Sequence, residues 1–367
     1  MTQNRLRALT ELGQAVWVDN LTRQMLNDGT LERMIADDGL SGVTSNPTTF
    51  DKAISDTDDY DDTLRRVAGE TDDPTEAFFQ LAYRDIRDAA DLLRPTWERT
   101  EGQDGLVSFE LPPDLAYDAQ GSIDAAKRFR SEIDRENILI KVPGTREGVQ
   151  AFEELTAAGV SINVTLLFAV RRYEEIAEAY LRGLERRVRD GEPIDGIVSV
   201  ASFFVSRVDT KVDNALDELN RPELKGKAAV ANAKIAYESF QRLFTGDRWD
   251  ALRKRGANVQ RPLWASTSSK DPDYPETYYV DQLIGPDTVN TMKEKTLDAA
   301  RENAEVSVSL TQGVQEARDT MTQLLTVGVP VDDIVEQQLP QEGVDAFAES
   351  FDSVVESVSR KLTPQHA

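Results

Sequence analysis

Short apolar segments rich in β-branched residues, each followed by a longer stretch with helical periodicity, restrict what this chain can fold into more than any other feature. They fall at 15–19, 42–46, 106–110, 138–142, 160–165, 197–201, 262–266 and 288–292. Between them the apolar residues change period. Over 171–188, for instance, Tyr173, Ile176, Ala177, Tyr180, Leu181 and Leu184 recur at spacings of three and four, the signature of a helix with one buried face. Strands that alternate with helices imply parallel βαβ units, and eight such strands imply closure into a barrel. The expected fold is therefore α/β, a (β/α)8 TIM barrel.

The spacing is uneven, which places extra helices. The stretch 47–105 has room for two or three, punctuated by Pro74 and Pro95; a similar span after the sixth strand includes a long helical pattern over 225–255, broken near Gly246. After the eighth strand, 293–362 reads as several more helices, the last over 344–362. No internal repeat, low-complexity segment or flexible linker divides the chain, so 1–367 is expected to be one domain.

Composition narrows the chemistry. The sequence has no cysteine, which removes thiolate nucleophiles, disulfides and sulfur-ligated metals. Its one histidine is His366, the penultimate residue, and a chain end is a poor place for a general base. Triads and histidine metal sites are therefore not expected, and neither a metal nor an organic cofactor is. The formal charge of −24, from 66 acidic and 42 basic residues, opposes binding to nucleic acid or anionic membranes. A high-salt cytoplasm is one setting that suits such an excess. The same field repels phosphorylated metabolites, so a phosphate site would have to be a local cationic pocket. No apolar run approaches the roughly 18 residues of a membrane span, and the first ten residues lack the apolar core of a signal peptide. A soluble, cytoplasmic protein, monomeric or homodimeric, is expected.

Polar residues stand at or near the carboxyl ends of five apolar strands: Asp19, Asn46, Glu110, Lys141 and Thr165. In a barrel these ends converge on the face that carries active sites. Lys141, inside the run ILIKVP, admits two readings. It is either a buried ammonium neutralised by Glu110 or Asp19, or an amine nucleophile of the kind that desolvation activates. Both leave roles for the carboxylates, as counterions or as proton carriers flanking the amine. Asn46 and Thr165 would either cap strand ends or orient a hydroxyl or a water. For an anion, SFFVSR at 202–207 opens a helical pattern whose free N–H groups favour negative charge, and Arg207 adds a bidentate donor. ASTSSK at 265–270 ends the seventh strand in hydroxyls and one ammonium, in the region where barrels often hold phosphate.

With these residues laid out, the chain resembles the transaldolases over nearly its whole length. The match rests on GVTSNPTTF at 42–50, on ILIKVPGTREGVQA at 138–151 and on NVTLLF at 163–168. The resemblance implies Lys141 as the Schiff-base nucleophile and Asp19 as the acid/base on the substrate hydroxyl, with Glu110 and Thr165 holding the water of carbinolamine formation and loss. It implies Asn46, Thr44, Asn163, Ser202 and Phe204 as sugar-binding residues, and Arg207, Ser266 and Lys270 as phosphate ligands. The substrates implied are sugar phosphates. Three positions depart from the family pattern: Phe203 where many relatives have Pro, Ser206 where they have Gly, and Ser268 where they have Arg, so that Lys270 is left to supply the second cation. The smaller fructose-6-phosphate aldolases tend to carry Gln at the position of Glu110 and Tyr at that of Phe204, so both residues favour the transferase. A retaining glycoside hydrolase built on Asp19 and Glu110 is the remote alternative. It leaves Lys141 without a role, and only 7 % of the chain is aromatic.

Overall fold

The computed structural model describes residues 4–362; His366 lies outside them. Strands β1 (Gln14–Val18), β2 (Gly42–Thr44), β3 (Leu106–Glu110), β4 (Ile138–Pro143), β5 (Ile162–Leu167), β6 (Ser199–Phe204), β7 (Gln260–Ala265) and β8 (Thr288–Met292) close in sequence order into one parallel barrel. β8 pairs back onto β1, with Trp17 opposite Thr291. The expected (β/α)8 barrel with extra helices is what forms.

Period-two alternation along the strands sorts their side chains into two layers. Ala15 and Trp17, Leu106, Leu139, Val198 and Val200, Leu263 and Ala265, and Val289 make a small core of their own inside the barrel. The residues between them, such as Val16, Val18, Val107, Ile140, Val142, Ala201 and Phe203, belong to the larger core under the helices. Trp17 fills the barrel interior, and Gly42 makes that possible: a Cβ there would stand 2.3 Å from the indole. Extending the inward series two residues at a time leads from Trp17 to Asp19, from Leu139 to Lys141, from Val200 to Ser202 and Phe204, and from Val289 to Thr291. The same register that packs the apolar interior thus delivers the polar groups to one end.

Several strand boundaries differ from the sequence reading, and two of the shifts bear on the site. β6 starts at Ser199 and runs to Phe204, so Ser202 and Phe204 belong to the strand and the helix begins only at Ser206 (Ser206–Glu218). β5 continues past Thr165 to Leu167 through an irregularity in its register with β6. Leu166 there has φ +58°, a left-handed conformation uncommon for a branched residue and of the kind bulges create at barrel rims. Alternation alone could not reveal either, because a bulge interrupts the period and Phe203 and Phe204 look equally apolar.

The first insertion holds three helices, Pro47–Asp56, Asp61–Val67 and Pro74–Arg99. Pro95 does not punctuate it but lies inside the third helix. Burial of Ile86, Ala89, Ala90 and Leu93 on one face carries the helix through the one backbone bond that proline removes. The Ser206–Glu218 helix precedes Ala228–Leu243 and Asp247–Arg253, which part at Gly246. Beyond β8 come Glu294–Asn303, Val314–Thr326 and Leu339–Leu362, the last starting earlier than the 344 expected.

Candidate active site

A cavity of ≈ 760 Å³ opens at the carboxyl ends of the strands, and Lys141, Glu110, Asp19 and Thr165 all line it. Lys141 is 7 % exposed. Its Nζ donates to Glu110 Oε2 at 2.9 Å and to the carbonyl of Ser45 at 3.2 Å. The ion pair anticipated as the structural alternative for this lysine is therefore present, and its partner is Glu110. Burial pushes the Glu110 carboxyl up; the Lys141 ammonium pulls it back, and the Asp19 charge adds to the rise. Glu110 is thus a carboxyl whose proton affinity burial raises, hydrogen-bonded to an amine, an arrangement suited to passing a proton to and fro.

Asp19 is held differently. Its Oδ1 accepts from Thr44 Oγ1 at 2.9 Å and from Asn46 Nδ2 at 3.4 Å. Thr44 Oγ1 also lies 2.8 Å from Thr291 Oγ1, so three strands meet at this carboxylate. Asn46 does both things the sequence left open. It caps the Pro47–Asp56 helix through Oδ1, which accepts from Thr49 N at 3.1 Å, while its amide turns to Asp19 and the cavity. Thr44 and Thr165 face the cavity as well.

Of the remaining candidates, Ser202, Phe204, Arg207 and Ser266 are cavity residues and Asn163 and Lys270 are not. Asn163 is fully buried. It accepts from Ser202 Oγ at 2.7 Å and donates to Ser108 Oγ at 3.0 Å, so it anchors Ser202 from beneath. The Arg207 guanidinium lies over the Phe204 ring, 5.5 Å from its centroid. Burial lowers the Arg207 pKa, and the charges of Asp19 and Glu342 oppose that; arginine stays a cation regardless. Ser266, with φ +57°, turns the chain so that its Oγ lies 2.9 Å from Ser206 Oγ. Among the described residues no group of three or more His, Cys, Asp or Glu side chains could hold a metal ion.

With lysine, two carboxylates, hydroxyls and an arginine on one cavity, the comparisons with known proteins become informative. The profile described as Transaldolase/Fructose-6-phosphate aldolase matches residues 16–358. The chain belongs to this family. Among curated relatives, a transaldolase of Thiobacillus denitrificans is 45 % identical over 97 % of this chain and 99 % of its own. Transaldolase 2 of Streptomyces avermitilis is 44 % identical over 97 % of both chains. A transaldolase of Trichodesmium erythraeum is 41 % identical over 99 % of this chain and all of its own.

The sequence reading missed part of the cavity wall. Thr291 ends the inward series of β8 and could have been found by the same alternation. Lys293, one residue past β8, also lines the cavity, though strand alternation says nothing about a residue beyond the strand. Gly343, Ala346, Phe347 and Ser350 come from the Leu339–Leu362 helix, about two hundred residues after Lys141; nothing local signals that this helix crosses the barrel mouth.

Proposed function

We propose that this transaldolase-family chain acts through a Schiff base on Lys141, moving a dihydroxyacetone unit from a ketose phosphate such as sedoheptulose 7-phosphate or fructose 6-phosphate to an aldose phosphate such as glyceraldehyde 3-phosphate or erythrose 4-phosphate. The observation that carries this reading is a buried amine on the cavity floor, 2.9 Å from a carboxyl of raised pKa, with a second carboxylate held by Thr44 and Asn46 on the same cavity. Lys141 attacks C2 of the ketose, and water leaves as the imine forms, with Glu110 and Thr165 handling that water and its protons. Asp19 takes the proton of the C4 hydroxyl. The C3–C4 bond breaks, its electrons move into the protonated imine, and the aldose phosphate departs. The enamine left on Lys141 attacks the second aldose phosphate, Asp19 returns the proton, and hydrolysis of the new imine frees the amine. Asn46, Thr44 and Ser202 bind hydroxyls, Asn163 steadies Ser202, Phe204 packs the sugar, and Arg207 with Ser266 takes the phosphate. Each step uses groups the cavity holds, with no cofactor. The reading brings with it a cytoplasmic setting, a monomer or homodimer, and one working unit over 1–367.

Borohydride reduction in the presence of fructose 6-phosphate, followed by peptide mass mapping, tests it. A dihydroxyacetone-sized adduct on Lys141 is expected, and Lys141→Met should lower kcat/KM by at least about a thousandfold. An unmodified Lys141 in a fully active enzyme would sink the mechanism. Free dihydroxyacetone released as fast as fructose 6-phosphate is consumed, without acceptor, would make the chain an aldolase instead.

A further inference from the structure

Strand β8 holds Asp19 in two ways. The backbone N–H of Asp19 donates to the carbonyl of Met292 at 2.7 Å. Its side chain is reached from the same strand through Thr44, whose Oγ1 donates to Asp19 Oδ1 at 2.9 Å and lies 2.8 Å from Thr291 Oγ1. Thr291 stands opposite Trp17 of β1 and lines the cavity. Both threonines are buried.

A hydroxyl has one proton to give and two lone pairs with which to accept, whereas an ionised carboxylate only accepts. The Thr44 proton is therefore committed to Asp19, and the contact between the two threonines has one direction: Thr291 donates to Thr44. The result is an ordered chain from Thr291 through Thr44 to Asp19, in which each bond polarises the next. One lone pair of Thr44 remains for a substrate hydroxyl. The other side-chain bond that Asp19 accepts among the described residues comes from Asn46 Nδ2 at 3.4 Å, and it too falls on Oδ1. Oδ2 is thereby left for a proton from the substrate. Without Thr291, the Thr44 hydroxyl is free to rotate away, and Oδ1 keeps only the long bond from Asn46.

We infer that Thr291 is a positioning residue for carbon–carbon bond cleavage: it fixes the direction of the Thr44 hydroxyl, which holds Asp19 by Oδ1 and leaves Oδ2 to take the C4 hydroxyl proton. This rests on the Schiff-base reading above and names the residue that orients its base. The chain of hydroxyls itself transfers no proton. In the step it serves, the C4 hydroxyl proton passes to Asp19 Oδ2, the C3–C4 bond breaks, and its electron pair moves into the protonated imine on Lys141. Imine formation comes earlier and draws on Lys141, Glu110 and Thr165, none of which shares a hydrogen bond with Thr291. Loss of the Thr291 hydroxyl should therefore slow cleavage and spare imine formation.

The test mixes the intact enzyme with fructose 6-phosphate, quenches with borohydride within the first turnover, and weighs the adducts on Lys141 by peptide mass mapping. Thr291→Val keeps the shape and removes the hydroxyl. In this variant the adduct of intact fructose 6-phosphate should form within about 3-fold of the parent rate, while the dihydroxyacetone-sized adduct should appear about 10-fold more slowly. Steady-state kcat should fall in step, with KM for fructose 6-phosphate within about 3-fold. Thr291→Ser, which restores the donor, should return every value to within about 3-fold of the parent. Unfolded protein lowers the amplitude of both adducts and leaves their rates, so lost stability cannot imitate the result. Equal slowing of the two adducts, an unchanged pair of rates, or a serine variant as impaired as the valine one overturns the inference and makes Thr291 a packing residue. The two readings fail separately: a parent enzyme with no adduct of either size on Lys141 removes the proposed reaction, an outcome that no Thr291 variant can produce.

Discussion

Two buried carboxyls show how one residue type takes different roles from its neighbours. Glu110 is pushed up by burial and pulled back by the Lys141 ammonium 2.9 Å away, so its nearest partner is a charge. Asp209 has only neutral partners at hydrogen-bond distance, accepting from Ala229 N at 2.7 Å and from Tyr279 Oη at 2.9 Å, and burial raises it to about 6 from an ordinary 3.8. The folded chain thus binds this proton more tightly than the unfolded one. The stabilisation is complete below pH 3.8 and is lost as pH rises through 6. Asp209→Asn should remove that dependence: between pH 7.5 and 4.5 the parent should gain roughly 2 kcal/mol of unfolding free energy relative to the variant. Urea unfolding at both pH values measures it, and parallel curves would show that Asp209 is ionised throughout. Lys141 was visible in the sequence as a charge inside an apolar strand, but the choice between Glu110 and Asp19 as its partner needed side-chain positions. The reason is register. Glu110 lies directly opposite Lys141 on the neighbouring strand, while Asp19 is drawn to Thr44 and Asn46.

At the scale of elements, strands were legible and the closing helix was not. Strand alternation located the lysine, both carboxylates and the inward series, since burial repeats every second residue. The Leu339–Leu362 helix was legible as a helix, but its cavity face, Gly343, Ala346, Phe347 and Ser350, uses the same three-and-four spacing that any buried face uses. Its placement comes from packing. Ser353 and Ser357 both donate to the Asp51 carboxylate, at 2.6 and 2.7 Å, and Lys361 donates to Asp61 at 2.7 Å, tying the helix to the first insertion. Gly343 lets it approach the bulged Leu166, whose Cδ2 would stand 3.0 Å from a Cβ there. A helix across the mouth limits the water that can hydrolyse a bound enamine. Phe347→Ala should therefore raise acceptor-free release of dihydroxyacetone relative to transfer by about 3- to 10-fold, read by coupled assays of the two products. An unchanged ratio would mean that closure lies elsewhere on the rim.

For the whole molecule, charge and topology act on different properties. A net charge of −24 repels itself in the compact state, and many of the arginines are already paired on the surface, as Arg248 is with Glu178 and Glu185. Screening should relieve the unpaired acidic excess more than it weakens exposed pairs, each worth little. The thermal midpoint should rise by at least about 3 °C between 0.05 and 1 M KCl; calorimetry showing a fall would mean that the surface pairs dominate. What the sequence determined by itself were properties written in local period and residue type: eight strands, the helices between them, the barrel class, and a chemistry without thiol. What only the tertiary structure decided were the contacts between elements far apart in the chain. Lys141 meets Glu110 and not Asp19, Lys293 reaches the cavity while Lys270 does not, and the last helix covers the mouth. Local periodicity specifies which face of an element is buried, whereas the identity of what lies against that face depends on barrel closure and packing across hundreds of residues.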